Sequence, residues 1–443
     1  MPRLRDPIHG FIELSELELE IADSFPFQRL RNIKQLATTY LVYHGAEHTR
    51  FGHSLGVMEL ASRAFRSAVS NYKDEFGKAL YEEIDAKWLE QVLRLIALVH
   101  DLGHAPFSHA SEALFDEGLE HEDFTKKIIC ETEVAQHIIA IGEKFLQENG
   151  VDEKYQITPE LIWCIYGEKN PESNPNYMLR LQDFKFLKTF MDSELDCDKM
   201  DYLLRDSYYC GVNYGRYDLN RVIESFTVYY DEKEGFKRLA VQKGGIHAFE
   251  EFIIARYFMF IQVYFHKTRR YLDKLLVKCL AEIIENKKYP SDVSEYLKWN
   301  DDLVIEKIAE TAAKSKNSSA FTKRQVMSCV YESGAHSKAG NSSDNREYGH
   351  VLRELQEKLP DCAIEEDAAS KLAHKLPILE PYDAESGKGI PIISKHLKKP
   401  TSIIDESLLL KSLVEPINIR RIYVDKEHSK EAKRIVREYL MTD

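Results

Sequence analysis

The chain of 443 residues carries a formal charge of −13, with 44% apolar and 30% charged residues. That composition fits a globular protein with a large buried core, built as one large domain or as a main domain with smaller appended parts. The acidic balance argues against broad, passive binding to nucleic acid, which needs a basic surface, but leaves room for a local basic pocket around a phosphorylated small molecule.

The N-terminal stretch MPRLRDPIHG lacks the apolar run of a secretory signal. SLGVMELASRAFRSAV then repeats apolar residues at three- and four-residue steps, and Ser54 is placed to cap that helix. WLEQVLRLIALVHDL becomes apolar nearly all round, which predicts a central helix. Further helices are expected near 123–148, 159–167, 182–205, 247–285 and 302–315. VIESFTVYYD and FKRLAVQK alternate on either side of DEKEG, predicting a β-hairpin near 222–243. The run FIIARYFMFIQVYF is 14 residues long and contains Arg256, so it is too short and too charged to cross a bilayer and reads as a buried or interface helix. The region 314–345, with SGAHSKAGNSSDN, is expected to be a flexible loop or connection. RRIYVDKEHSKEAKRIVREYL reads as a strand followed by a helix. No internal repeat is present. The seven cysteines are scattered and lack CxxC spacing, which fits a reducing cytoplasm and no disulfide framework. The expected fold is mainly α: a helical core over 1–285 and a small helical and α+β C-terminal region over 286–443.

The chemistry concentrates in LVHDLGHAPFSH, where His100, Asp101, His104 and His109 follow the central helix. At a helix end adjacent His and Asp side chains can converge on one ion. Further ligands lie at a distance: AEHTRFGHSLG offers His48 and His53, and MDSELDCDKMDYLLRD offers six acids. Helical spacing puts Asp198, Tyr202 and Asp206 on one face, with Lys199 beside them. Two imidazoles and two carboxylates suit a divalent ion such as Mn, Fe, Ni, Zn or Mg, which could lower the pKa of a bound water for attack.

PIHG, FQRLRNIKQL, HTRFGHSLG, HDLGHAPFSH, HE and DKMDYLLRD occur in this order, and the chain thereby resembles the HD-domain deoxynucleoside triphosphate triphosphohydrolases. The likeness is to the catalytic core of vertebrate members that also carry a sterile-alpha-motif domain, and to their microbial relatives. It covers residues 2–285 well, starting too early for a preceding sterile-alpha-motif domain, and is only suggestive afterwards. The resemblance implies an HD-domain core with His53, His100, Asp101 and Asp198 as metal ligands. It assigns Arg50, Lys199, Tyr202 and Arg256 to the triphosphate and lines the phosphate region with His104, His109 and His121. Gln35 and Asp206 would hold the sugar 3′-hydroxyl, and Tyr264 would crowd out a ribose. Water would attack the α-phosphorus of a dNTP, releasing a deoxynucleoside and inorganic triphosphate. His109 is the favoured proton donor, with Glu122 orienting it; His121 and His104 are the other catalytic candidates.

The resemblance further implies a homodimer or homotetramer and a nucleotide activator. Asp23, Gln28 and Arg31 match the activator-binding pattern, whereas its lysine falls on Pro2, with Arg3 and Arg5 nearby. Phe265 and Phe260 replace a glutamine and a histidine near the base, so base preference can differ. Two other readings compete. One is an HD phosphohydrolase or phosphodiesterase acting on nucleoside monophosphates, cyclic nucleotides or nucleic-acid ends. The other is a non-catalytic nucleotide sensor.

Overall fold

The computed structural model describes residues 2–167, 178, 180–231, 235–336, 342–372, 389–394, 400–413 and 415–441. The helix Glu83–Val99 is buried along its C-terminal half, from Val92 to Val99, on nearly every face. It packs along the 27-residue helix Arg50–Phe76. The longer helix starts a turn earlier than its periodicity predicts. Thr49 is extended and Arg50 is already helical, because Phe51 packs edge-on against Phe27 at 5.2 Å. Ser54 is therefore a buried interior residue, not a cap, and His53 lies inside the first turn.

Three long predicted helices are each broken. The 123–148 segment divides at Thr132, whose extended backbone ends His121–Glu131 and whose hydroxyl accepts from Val134 N to start Glu133–Asn149. The 182–205 segment divides into Leu181–Thr189 and Cys197–Cys210, because Asp196 caps the second helix by accepting from Lys199 N at 2.8 Å. The 247–285 segment becomes Ile246–Met259, a wide π turn Phe260–Tyr264, and Lys267–Ile283. Phe252, Ile253, Met259 and Val263 of the apolar run are buried in the chain's own core, while Phe258 is exposed. The helices predicted at 159–167 and 302–315 span Pro159–Tyr166 and Asp301–Thr311.

The predicted hairpin pairs Phe226–Asp231 with Phe236–Gln242 antiparallel; residues 232–234 at its tip lie outside the described residues, and Val222–Glu224 belong to a short helix instead. Pro391–Ile393 adds to it in parallel and Thr401–Ser402 completes the four-stranded sheet. A second sheet places Ile417–Val424 between Ser328–Glu332 and Ile364–Lys371, all antiparallel, ahead of the helix Ser429–Leu440. The region 314–345 is not simply a loop. It holds the helix Lys316–Thr322, the strand Ser328–Glu332 and the start of Ser342–Lys358, while 337–341 lie outside the described residues. Alternation across Ser328–Glu332 is paired off by the C-terminal strand, a partner some ninety residues away that local composition does not reveal. The result is a mainly helical core with small sheets toward the C-terminus. All seven cysteines are free. Among the described residues no helix is long and apolar enough to cross a membrane.

Candidate metal centre

Three helix ends bring the four expected ligands together. His53 comes from the first turn of Arg50–Phe76, His100 and Asp101 from the end of Glu83–Val99, and Asp198 from the first turn of Cys197–Cys210. His53 Nε2 lies 2.9 Å from Asp198 Oδ1 and 3.6 Å from Asp101 Oδ2. His100 Nε2 lies 3.4 Å from Asp101 Oδ1 and 4.0 Å from Asp198 Oδ1. Asp198 keeps 36% of its side chain open, whereas Asp101 keeps 6%, so the centre is approached from the Asp198 side.

The imidazoles are set up as ligands. His100 Nδ1 lies 2.7 Å from Ala97 O, a group that can only accept, so Nδ1 carries the hydrogen and Nε2 presents a lone pair. His53 Nδ1 faces Asp201 Oδ2 at 2.8 Å, which fixes the same tautomer. Both Nε2 atoms are buried and point at no hydrogen-bonding group outside the ligand set, His53 Nε2 lying 2.9 Å from Asp198 Oδ1. Two orphaned imidazole nitrogens facing two carboxylates fit a divalent ion in donor type and number. Burial opposes protonation of His53, but Asp198, Asp201 and Asp101 pull its pKa up to about 10. Proton and ion therefore compete for Nε2. Burial likewise opposes the charge on Asp101, yet Arg50, His100 and His104 hold it well below the usual carboxylate range.

Behind His53 sits a buried network absent from the sequence reading. Asp201 accepts from His53, from His9 Nε2 at 2.6 Å, and from Arg205 Nε and Nη2 at 2.8 and 2.9 Å. Arg205 also reaches Asp6 at 2.8 Å. A Cβ on Gly56 would sit 2.0 Å from Asp201 Oδ1, so only glycine admits this carboxylate beside the helix. The Asp201–Arg205 spacing of four was the available signal; its distant target His53 was not.

A second cluster flanks the first. His104 Nε2 contacts Asp101 Oδ1 at 3.1 Å, and its ring stacks on His121 at 3.8 Å. Glu112 Oε1 lies 2.9 Å from His109 Nδ1 and 2.8 Å from His121 Nδ1. The carboxylate orienting His109 is thus Glu112, three residues on in the turn Ser108–Leu114, and not Glu122, which instead faces His121 at 3.3 Å. Burial and the Arg50 and His121 charges push His104 well below its ordinary pKa, so it is neutral. Against burial, Glu112 and Glu122 raise His121.

Arg50 donates to Asp101 and, at 2.8 Å, to Ser108 Oγ, which makes it a clamp on a ligand. Lys199 Nζ donates to Asp196 and to Ser193 O, and Arg256 donates to Glu194 at 3.0 Å. Tyr202 stands between these two cations and Asp198, and burial pushes its hydroxyl up to about 12. Asp206 is taken by Tyr264 Oη at 2.7 Å and His48 Nε2 at 2.8 Å. His48 therefore serves Asp206, away from the four ligands, while Gln35 keeps a buried Oε1 without a partner. Among the activator candidates, Arg31 lines a cavity of about 490 Å³ together with Arg5 and lies over Phe51 at 3.5 Å. Gln28 accepts from Arg31, Arg3 pairs with Glu13 across the antiparallel strands Arg3–Asp6 and Gly10–Glu13, and Asp23 ends the helix Glu16–Asp23 at the surface.

Residues 50–162 match the HD domain family, and residues 217–334 match the HD associated region. The uncharacterized protein YwfO of Bacillus subtilis is 37% identical over 62% of this chain and 54% of its own length. The human deoxynucleoside triphosphate triphosphohydrolase SAMHD1 is 28% identical over 73% of this chain and 53% of its own. The chain thus spans about half the length of the curated relatives it matches. A crystal structure of a hypothetical protein from Aquifex aeolicus superposes with a TM-score of 0.74 at 30% identity, covering 98% of this chain and 99% of that one. A Bacteroides thetaiotaomicron phosphohydrolase shares the fold at a TM-score of 0.64 and 22% identity, over 96% of this chain and 100% of its own.

Proposed function

Because this chain belongs to the HD-domain phosphohydrolase superfamily, we propose that it is a metal-dependent phosphohydrolase of nucleotides, and specifically a dNTP triphosphohydrolase. The observation that carries the first part is the pair of orphaned, tautomer-locked Nε2 atoms facing Asp101 and Asp198. A divalent ion held there by His53, His100, Asp101 and Asp198 supplies Lewis-acid polarisation and a water of lowered pKa. Arg50 keeps Asp101 ionised and aimed, and Asp201 keeps His53 in its ligand tautomer. Lys199 and Arg256 provide positive charge, and the neutral Tyr202 hydroxyl a hydrogen-bond donor, for a triphosphate of about four negative charges. His109 keeps 68% of its side chain open, and Glu112 at Nδ1 leaves its Nε2 to hand a proton to the 5′-oxygen as the bond to the α-phosphorus breaks. Asp206 and Tyr264, bonded to each other, would meet the 3′-hydroxyl and bar a 2′-hydroxyl. A nucleotide activator would occupy the cavity beside Arg5 and Arg31, and the active form would be a homodimer or homotetramer.

One observation favours the second reading, a phosphohydrolase of nucleoside monophosphates, cyclic nucleotides or nucleic-acid ends. Lys199 and Arg256 already hold carboxylates, Asp196 and Glu194, and a shorter phosphate group would leave those pairs in place. The test offers each dNTP and GTP as substrate, each in turn also as activator, with product masses recorded. Inorganic triphosphate with a deoxynucleoside supports the main reading. Monophosphate or pyrophosphate as the sole product transfers support to the second, and tight binding without turnover makes the protein a sensor.

A further inference from the structure

The segment 102–108 follows the ligands His100 and Asp101 and ends beside His109, and its backbone is pinned by residues far away in sequence. Arg29 donates to Leu102 O and to His104 O, and Tyr296 Oη donates to Gly103 O at 2.7 Å. The last pin is a carboxylate: Asp301 Oδ1 accepts from Phe107 N at 2.7 Å, and its Oδ2 accepts from Lys34 N at 2.9 Å. Asp301 is buried and opens the helix Asp301–Thr311, within the stretch that matches the HD associated region. That helix does not need it as a cap, because Asn300 already accepts from Leu303 N at 2.9 Å.

The turn that Asp301 holds is strained. Phe107 and Ser108 are consecutive non-glycine residues in the left-handed region, at φ of 58° and 55°. Such a conformation persists only where the surrounding bonds dictate it. Ser108 Oγ donates to Lys34 O at 2.8 Å and accepts from Arg50 Nε at 2.8 Å, and the same guanidinium donates to the ligand Asp101. Asp301 and the Ser108 hydroxyl thus tie Lys34 to this turn twice. Two amides on two separate oxygens are a demand that a carboxylate meets; an asparagine offers one oxygen and sets its NH2 against the other amide.

We propose that Asp301 is a positioning residue of the metal centre: it fixes the Phe107–Ser108 turn and, through Ser108 and Arg50, the aim of Asp101. The associated region would then support the ligand set as well as pack against the HD domain. This role rests on the reading of His53, His100, Asp101 and Asp198 as metal ligands, and on no particular nucleotide.

The test is a double-variant cycle on the full chain: Asp301→Asn, Ser108→Ala and the two combined. Mn²⁺ affinity is read by competition with a chelator above pH 7, where Asp301 is ionised although burial pushes it up to about 7. Each single change is expected to weaken Mn²⁺ about tenfold, the lower end for lost support behind a metal ligand. The combined variant should bind no more weakly than the weaker single one, because both changes cut one path. The visible d–d bands of the Co²⁺-loaded protein, which report ligand geometry, should shift in Asp301→Asn as they do in Ser108→Ala. Affinities are compared where far-UV circular dichroism shows the protein folded. If Asp301→Asn does not fold, Asp301→Glu takes its place, since it keeps the charge and both oxygens but moves them by one methylene. Parent-like Mn²⁺ binding, unshifted Co²⁺ bands, losses that multiply in the combined variant, or failure of both Asp301 variants to fold would overturn the proposal. A parent protein that binds no Mn²⁺ would overturn the metal reading itself, and this inference with it. Because no turnover is measured, failure of the triphosphohydrolase reading leaves the result intact.

Discussion

Asp201 touches no expected substrate, yet its replacement should loosen the metal. In Asp201→Asn the side chain keeps its shape and one acceptor oxygen but loses the charge that receives His53, His9 and both Arg205 nitrogens. Removing a carboxylate that orients a ligating imidazole costs about 10–100-fold in metal affinity, or about 1.4–2.7 kcal/mol. As a charged partner the buried Arg205 would retain Asp6, at 2.8 Å. Breaking half of such a pair costs about 3 kcal/mol of stability, the lower end for a buried ion pair, since Asp6 still compensates part of the charge. Both quantities are measurable: affinity for Mn²⁺ by competition with a chelator, and stability by urea unfolding of the metal-free protein. The affinity is read where far-UV circular dichroism shows the variant fully folded. A folded Asp201→Asn protein that binds Mn²⁺ as tightly as the parent would refute the positioning role, whatever its stability.

Gly56→Ala should disturb the same network from the other side. Its Cβ would meet Asp201 Oδ1 at 2.0 Å and Arg205 Nη2 at 2.5 Å, so a loss of about 1–3 kcal/mol is expected in urea unfolding. Glu112→Gln should lower kcat on the accepted nucleotide by about 100-fold while metal content, read by elemental analysis, stays at the parent level. Glu122→Gln should have the smaller effect of the two on the His109 step. Burial pushes Asp301 up to about 7, although Lys34 N and Phe107 N both donate to its carboxylate. A raised folded pKa means that this group's contribution is fully present below its ordinary value of 3.8 and is lost as pH rises through about 7. Unfolding free energy should therefore fall across that interval, and Asp301→Asn should flatten the fall; an unchanged pH profile would remove Asp301 as its cause.

His100 and Asp101 were legible because they adjoin at the end of a helix whose apolar run marks it as central. Asp198, Tyr202 and Asp206 were legible because helical spacing aligns them. Periodicity also placed the helices, but not their breaks, since Thr132 and Asp196 act through capping bonds that compete with an otherwise continuous pattern. The C-terminal strand at 328–332 escaped notice because its pairing partner lies at 421–424.

Local chemistry thus determines which residue types can hold an ion, and in which order they arrive. Their arrangement around one another belongs to packing. Asp201 and Asp198 are three residues apart on one helix, yet Asp201 backs His53 Nδ1 while Asp198 faces its Nε2. Nothing in DKMDYLLRD says which carboxylate takes which side of an imidazole more than a hundred residues away. That choice is made where the helices cross, where Gly56 leaves the space for Asp201 that any side chain would fill.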